Sequence, residues 1–110
     1  MWAKPTKADL KKIPKIGATD GQKSEETLVY LHFFLGSCDW YITEFDGEDA
    51  MFGFAILNGD QHCAEWGYMS LQEFRDLEVG FMEVDTDKYW KIRPVTEVDK
   101  IVACANGVLA

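Results

Sequence analysis

From Thr27 onward the apolar residues come in short blocks separated by glycine, asparagine and aspartate, a pattern that predicts strands and tight turns. Thr27–Phe34 is apolar at both parities, which predicts a central strand covered on both faces. Gly36-Ser37 turns the chain, and Asp39–Phe45 returns as a second strand. Asp46-Gly47 is the next turn signal, and Met51–Leu57 a third strand, with Gly53 marking a bulge or a close backbone approach. Asn58-Gly59-Asp60 makes a third turn into a fourth strand, Cys63–Met69. Connections this short impose antiparallel neighbours, so the four strands form a meander.

Helices flank this block. Thr6 caps a short first helix, with Asp9 near its positive end, and Pro14 stops it near Lys12 or Ile13. Residues 17–26 are glycine-rich and polar and read as a loop. Ser70-Leu71-Gln72-Glu73 has the form of a capping box opening a helix to about Leu77, with an apolar stripe at Leu71, Phe74 and Leu77. Val79–Val84 and Lys88–Arg93 are shorter strand candidates on either side of the polar Asp85-Thr86-Asp87. Pro94 opens a terminal helix through Val95, Val98, Ile101 and Val102. The expected fold is a single α+β domain over residues 6–99. It has an antiparallel meander sheet, short N-terminal, middle and C-terminal helices at its ends or on one face, and a C-terminal extension, 100–110, of uncertain order.

The chain's 110 residues allow one domain, and 47% apolar with 27% charged residues is a globular composition. The longest apolar run, Leu28–Leu35, is interrupted by His32 and too short to span a bilayer, and Met1–Pro5 lacks the features of a secretory signal. Cys38, Cys63 and Cys104 are odd in number and widely spaced, which favours free thiols in a reducing cytoplasm over a disulfide framework.

Charge is unevenly laid out. Residues 1–23 carry +4, residues 24–87 carry −14 with Arg75 their single cation, and residues 88–110 carry +2, for a net charge of −8. An acidic middle repels phosphate, so direct nucleic-acid binding is disfavoured. The −14 segment reads either as a solvated surface that keeps the chain soluble or as a face that imitates nucleic-acid phosphates for a basic protein partner.

Catalytic signals are sparse. Glycine-rich phosphate loops, His-Glu-x-x-His, Cys-x-x-Cys and calcium-loop spacings are absent, and neither a cofactor nor a metal is expected. His62 and Cys63 are adjacent and point to opposite faces. His32 and Cys38 lie across the first hairpin, where a nucleophile pair is conceivable, although His32 in an apolar strand reads better as a satisfied core residue. Glu44, Asp46, Glu48 and Asp49 crowd one turn and could raise one another's carboxyl pKa. Aromatics reach 14%, and Trp40, Tyr41, Phe45, Phe52, Phe54, Trp66 and Tyr68 all fall in strands two to four. Adjacent aromatics point to opposite faces, so aromatic surface meets solvent, a covering helix or a partner.

Three strings carry a family resemblance: Trp40-Tyr41-Ile42-Thr43-Glu44-Phe45-Asp46, Phe52-Gly53-Phe54, and Ala64-Glu65-Trp66-Gly67-Tyr68-Met69-Ser70-Leu71-Gln72-Glu73-Phe74. In that order they resemble the W-x-x-T-E-x-D, F-G and P-E-x-G-Y-x-S-L-x-E-L strings of a small bacterial family, domain of unknown function twenty-nine fifty-eight. Leu10–Ile16 resembles its L-x-x-L-P-x-L entry, and the likeness covers residues 6–98. Ala64 replaces a frequent proline, Asp85–Trp90 replaces an E-R-D-x-x-F string, and Lys100–Ala110 extends past the usual end. The family is common on plasmids, phages and integrated elements, so the resemblance implies an accessory role in mobile DNA biology, and it supplies no catalytic residues.

Two functional expectations follow. One is a non-enzymatic binding or regulatory module acting through an acidic, aromatic sheet region of Trp40, Glu44, Asp46, Glu48, Asp49, Glu65, Trp66 and Tyr68 against a basic protein. The other is a small-molecule-binding domain or weak hydrolase using Glu44, Glu65, Trp40 and Trp66, with Trp40 and Glu44 on one face by their even spacing. Glu65 is also expected to latch the meander to the later strands, if buried, through backbone amides or Lys91 and Arg93.

Overall fold

The computed structural model describes residues 5–79 and 82–108. The chain enters through α1 (Lys7–Lys11). There the Thr6 hydroxyl accepts from the Asp9 amide at 3.1 Å and the Asp9 carboxylate accepts from the Thr6 amide at 3.3 Å. This reciprocal cap satisfies two donors that a helix end leaves open. The strands follow as β1 (Leu28–Val29), β2 (Leu31–Leu35), β3 (Cys38–Phe45), β4 (Ala50–Ile56) and β5 (Glu65–Ser70). Next come α2 (Leu71–Asp76), β6 (Glu78–Val79), β7 (Met82–Glu83), β8 (Asp85–Thr86), β9 (Arg93–Pro94), a 3-10 turn at Val95–Glu97, and α3 (Asp99–Val102). The main sheet has the order β5-β4-β3-β2-β8 with every pair antiparallel. The meander of β2–β5 is therefore present, and the protein is an α+β domain. Among the described residues no helix is long and apolar enough to cross a membrane.

The expected first strand is two. β1 pairs with β9 and β2 pairs with β3 and β8, the break falling at Tyr30. The break has a packing cause: Val29 buries in one core cluster and Leu31, two residues on, buries in the other. An unbroken strand would point both side chains to the same face.

Asp85-Thr86, expected only as a polar break between two strand candidates, is the edge strand β8. It occupies the free side of β2 opposite Phe33 and Phe34, and the Asp87 amide donates to the His32 carbonyl at 2.9 Å. Those β2 groups would otherwise lack partners. Of the expected strand Val79–Val84, residues 80–81 lie outside the described residues, and Glu78–Val79 pairs back on Met82–Glu83. Within the expected strand Lys88–Arg93, only Arg93 is in a ladder. Cys63 precedes β5 in a turn whose amides at His62 and Cys63 donate to the Asp60 carboxylate.

Both faces of the sheet are covered, where helices at the ends or on one face were expected. Leu10, Ile13, Leu71 and Phe74, from α1 and α2 and their flanks, pack over Phe33, Trp40, Ile42 and Met51. On the other face Val95, Val98, Ile101 and Cys104 pack over Tyr41, Phe54 and Ile56. The terminal helix is interrupted at Val98, whose backbone is extended between the 3-10 turn and α3. The expected extension from residue 100 belongs to the domain through Gly107: Ile101 is fully buried, and the Gly107 carbonyl accepts from the Trp66 indole at 3.1 Å.

Gly53 marks a close backbone approach, as expected. A β-carbon there would lie 2.0 Å from the Tyr41 carbonyl oxygen, and the β3–β4 register shifts between Ile42 and Glu44. One extra β3 residue is accommodated at this bulge, and every side chain beyond it changes face.

Candidate functional site

The bulge decides where Glu44 goes. Trp40 and Ile42 face the side covered by α1 and α2, and after the shift Phe45 faces that side as well, opposite Met51. Glu44, opposite Phe52, is turned to the other face. Trp40 and Glu44 therefore do not share a face, and the grouping of Glu44, Glu65, Trp40 and Trp66 is not assembled.

Glu44 is 2% exposed. Its Oε1 accepts from the Gly17 amide at 3.0 Å, and its Oε2 accepts from the Thr19 amide at 2.9 Å and from the Thr19 hydroxyl. Burial pushes the carboxyl up, and the Thr19 hydroxyl with the Gly17 and Thr19 amides outweighs it, leaving Glu44 below its ordinary value. The polar 17–26 loop is thus pinned to the sheet by one buried carboxylate.

The other carboxylates of this turn act within the fold. Asp46 Oδ1 accepts from the Glu48, Asp49 and Ala50 amides at 2.7, 2.8 and 3.1 Å, which lowers its pKa. Asp49 Oδ1 accepts from the Gln72 amide at 2.8 Å, and its Oδ2 accepts from the Ser70 hydroxyl at 2.6 Å. The Ser70 oxygen in turn accepts from the Glu73 amide at 3.2 Å. The capping box expected from Ser70 and Glu73 is thus supplied by Ser70 and Asp49. Glu48 is exposed at the tip of the turn.

Glu65 is exposed, so the expected latch to Lys91 or Arg93 is not formed. It pairs with Ala55 at the far end of the hairpin from Ala50 and Ser70, about 17 Å away at strand rise. The five carboxylates Glu44, Asp46, Glu48, Asp49 and Glu65 therefore do not converge.

What does converge lies along β5. Among the described residues this strand has a single sheet partner, β4, and its outer edge is open. A groove of about 340 Å³ runs between that edge and α2, floored by Trp40, Met69 and Phe74 and lipped by Glu65 and Glu73. Tyr68 stands 71% exposed beside it, and Trp66 is half-buried against Phe54. Gly67 sits mid-strand, and a β-carbon added there would meet nothing within 4 Å. Bare backbone, an apolar floor and acidic lips suit an extended, basic peptide segment.

His32 is built into a different network, one that sequence reasoning missed. Its Nε2 lies 2.7 Å from Asp39 Oδ1 and its Nδ1 lies 2.9 Å from Asp87 Oδ2, while Lys100 Nζ donates to Asp39 Oδ2 at 3.0 Å. The ring stacks on Tyr41 with centroids 4.6 Å apart. Both nitrogens are occupied, so the ring has none left to activate a nucleophile. Cys38 is paired opposite Leu35, away from His32, and its sulfur accepts from the Asn58 amide. Asp87 and Lys100 are 55 and 61 residues from their partners and left no local signal. Among the described residues no three His, Cys, Asp or Glu side chains are grouped to hold a metal ion.

Comparison with known proteins matches residues 5–107 to a family described as protein of unknown function (DUF2958). No curated protein and no solved structure matches the chain. The match begins ahead of the α1 cap and ends at Gly107, whose carbonyl holds the Trp66 indole. The strings around Trp40, Gly53 and Trp66 thus form the centre of one continuous fold, and the chain belongs to the DUF2958 family.

Proposed function

We propose that the protein is a non-enzymatic binding module that takes an extended basic segment of a partner protein along the open edge of β5. In this reading it serves as an accessory factor of a mobile genetic element. The observation that carries it is the single pairing of β5 beside a groove with an apolar floor and two acidic lips. A strand added to such an edge gains main-chain hydrogen bonds, and alternate side chains enter the groove. Of the expected contact residues, Glu65, Trp66 and Tyr68 flank this edge. Trp40 contributes to the groove floor, and Glu44, Asp46 and Asp49 hold the scaffold. The acidic character of the contact rests on Glu65 and Glu73 rather than on a ridge imitating phosphates. Free thiols at Cys38, Cys63 and Cys104 support action in a reducing compartment, the cytoplasm.

The test is selection from a random-peptide library on the intact protein, followed by titration of the enriched peptides. Enrichment of sequences alternating Lys or Arg with apolar residues is expected, with amides 65–70 gaining exchange protection on binding. A β-carbon at position 67 meets nothing within 4 Å, so Gly67→Val should put a side chain into the groove and abolish binding while the fold persists. No enrichment, or enriched peptides that bind Gly67→Val unchanged, overturns the reading.

A further inference from the structure

The two basic segments of the chain, at opposite ends of the sequence, meet in space at the other end of the sheet from β5. A cleft of about 480 Å³ opens there between the start of α1 and residues 86–92, within the range of about 300–1,000 Å³ typical of small-ligand pockets. Tyr30 and Trp90 give it aromatic wall, and Lys12 and Lys88 line it from the two segments.

Three observations define what the cleft accepts. The first is the balance of uncommitted charge. Both aspartates of the lining are engaged within the protein: Asp9 accepts from the Thr6 amide, and Asp87 accepts from the Tyr89 amide and faces His32. The ion pairs among the described residues are His32–Asp39, His32–Asp87 and Lys100–Asp39, which leaves the Lys12 and Lys88 ammoniums unpaired. The second is an orphan. Thr86, 8% exposed, is one of the residues of the cleft wall, and its hydroxyl is buried with no hydrogen-bond partner. An unpaired buried hydroxyl is costly and calls for an occupant that satisfies it. The third is a fixed ring. The Trp90 indole donates to the Val29 carbonyl at 3.0 Å, the Arg93 guanidinium lies 4.1 Å from the ring centroid, and the His32 and Tyr41 rings pack against it at 5.4 and 5.6 Å, which leaves part of the ring to the cleft. A ring held this way loses little freedom when a ligand packs on it.

We propose that this cleft binds a small ligand in which a planar ring carries a phosphate, the chemistry of a mononucleotide. The ring packs on Tyr30 against the part of Trp90 that Arg93, His32 and Tyr41 leave uncovered, the phosphate sits between Lys12 and Lys88, and the Thr86 hydroxyl bonds a polar atom of the ligand. Phosphate is held here by side-chain ammoniums, which needs no glycine-rich loop. The site is independent of the β5 groove.

The test is an NMR titration of the full chain with the common ribonucleoside monophosphates, with adenosine and inorganic phosphate as separate arms. Saturable shifts are expected at Lys12, Tyr30, Thr86–Lys88 and the Trp90 indole. A monophosphate should bind about tenfold or more tightly than adenosine or phosphate alone. Replacing both lysines (Lys12→Gln with Lys88→Gln) should weaken binding about tenfold with melting unchanged, since neither lysine has a structural partner. Thr86→Val keeps the shape of the side chain and should weaken binding several-fold without lowering the melting temperature. Absence of saturable shifts at millimolar ligand overturns the proposal. So does inorganic phosphate binding as tightly as a monophosphate, or unchanged affinity in the double-lysine variant.

Discussion

Both oxygens of the Glu44 carboxylate are taken by donors of a loop some 25 residues upstream, so the side chain acts as a charged staple between loop and sheet. Its folded pKa lies below the ordinary value of 4.5. A depressed carboxyl contributes stability above the unfolded pKa and loses that contribution as pH falls through the folded one. Denaturation measured between pH 7 and 3 should therefore show wild-type stability falling below about pH 4.5, more steeply than in Glu44→Gln. At neutral pH Glu44→Gln should be less stable by about 2 kcal/mol, because an amide nitrogen then faces a backbone donor. The position of Glu44 was hidden by a single inserted residue. Asp39–Phe45 is buried throughout, so no alternation survives to show a change of phase, and only Gly53 signalled the irregularity. Gly53→Ala should cost about 3 kcal/mol or more, read as a lowered urea midpoint, since the added carbon meets backbone that cannot swing aside.

At the scale of elements, α2 depends on a residue that sequence proximity does not suggest. The Asp49 carbonyl accepts from the Leu71 amide at 3.0 Å, and its carboxylate takes the Gln72 amide and the Ser70 hydroxyl. A six-residue helix has too few internal bonds to stand alone. Ser70→Ala should cost about 1 kcal/mol. Asp49→Ala should cost more and release exchange protection across residues 71–76, while the β3–β4 ladder keeps its own. The Ser70-x-x-Glu73 string made the helix start legible at Leu71, and Asp49, 21 residues away, had no local mark. The β2–β5 meander was legible for the opposite reason: its turns are short and rich in glycine and asparagine, which leaves antiparallel pairing as the one geometry available. β8 escaped notice because two small polar residues carry no strand signal until a neighbouring strand offers them an edge.

Across the whole molecule, two of the carboxylates behind the −8 charge, Asp39 and Glu44, are buried and partnered inside the fold, while Asp46 and Asp60 accept from the amides of exposed turns. The second core is closed from the C-terminal side, and Ile101 is its fully buried anchor. Ile101→Ala should destabilise by about 3 kcal/mol in urea unfolding, as for other buried aliphatic truncations. Closure is completed by Gly107 under Trp66, by the Asn106 amide donating to the Ala64 carbonyl at 3.2 Å, and by the Ala105 amide donating to the Gln61 carbonyl at 3.2 Å. That arrangement has a consequence for synthesis. The ribosome delivers the meander first, and Tyr41, Phe54 and Ile56 stay bare on one side until residues 95–107 leave the exit tunnel. Nascent chains stalled before Ile101 should therefore recruit chaperones and remain protease-sensitive, and emergence of residues 95–107 becomes the step that commits the domain to its native state.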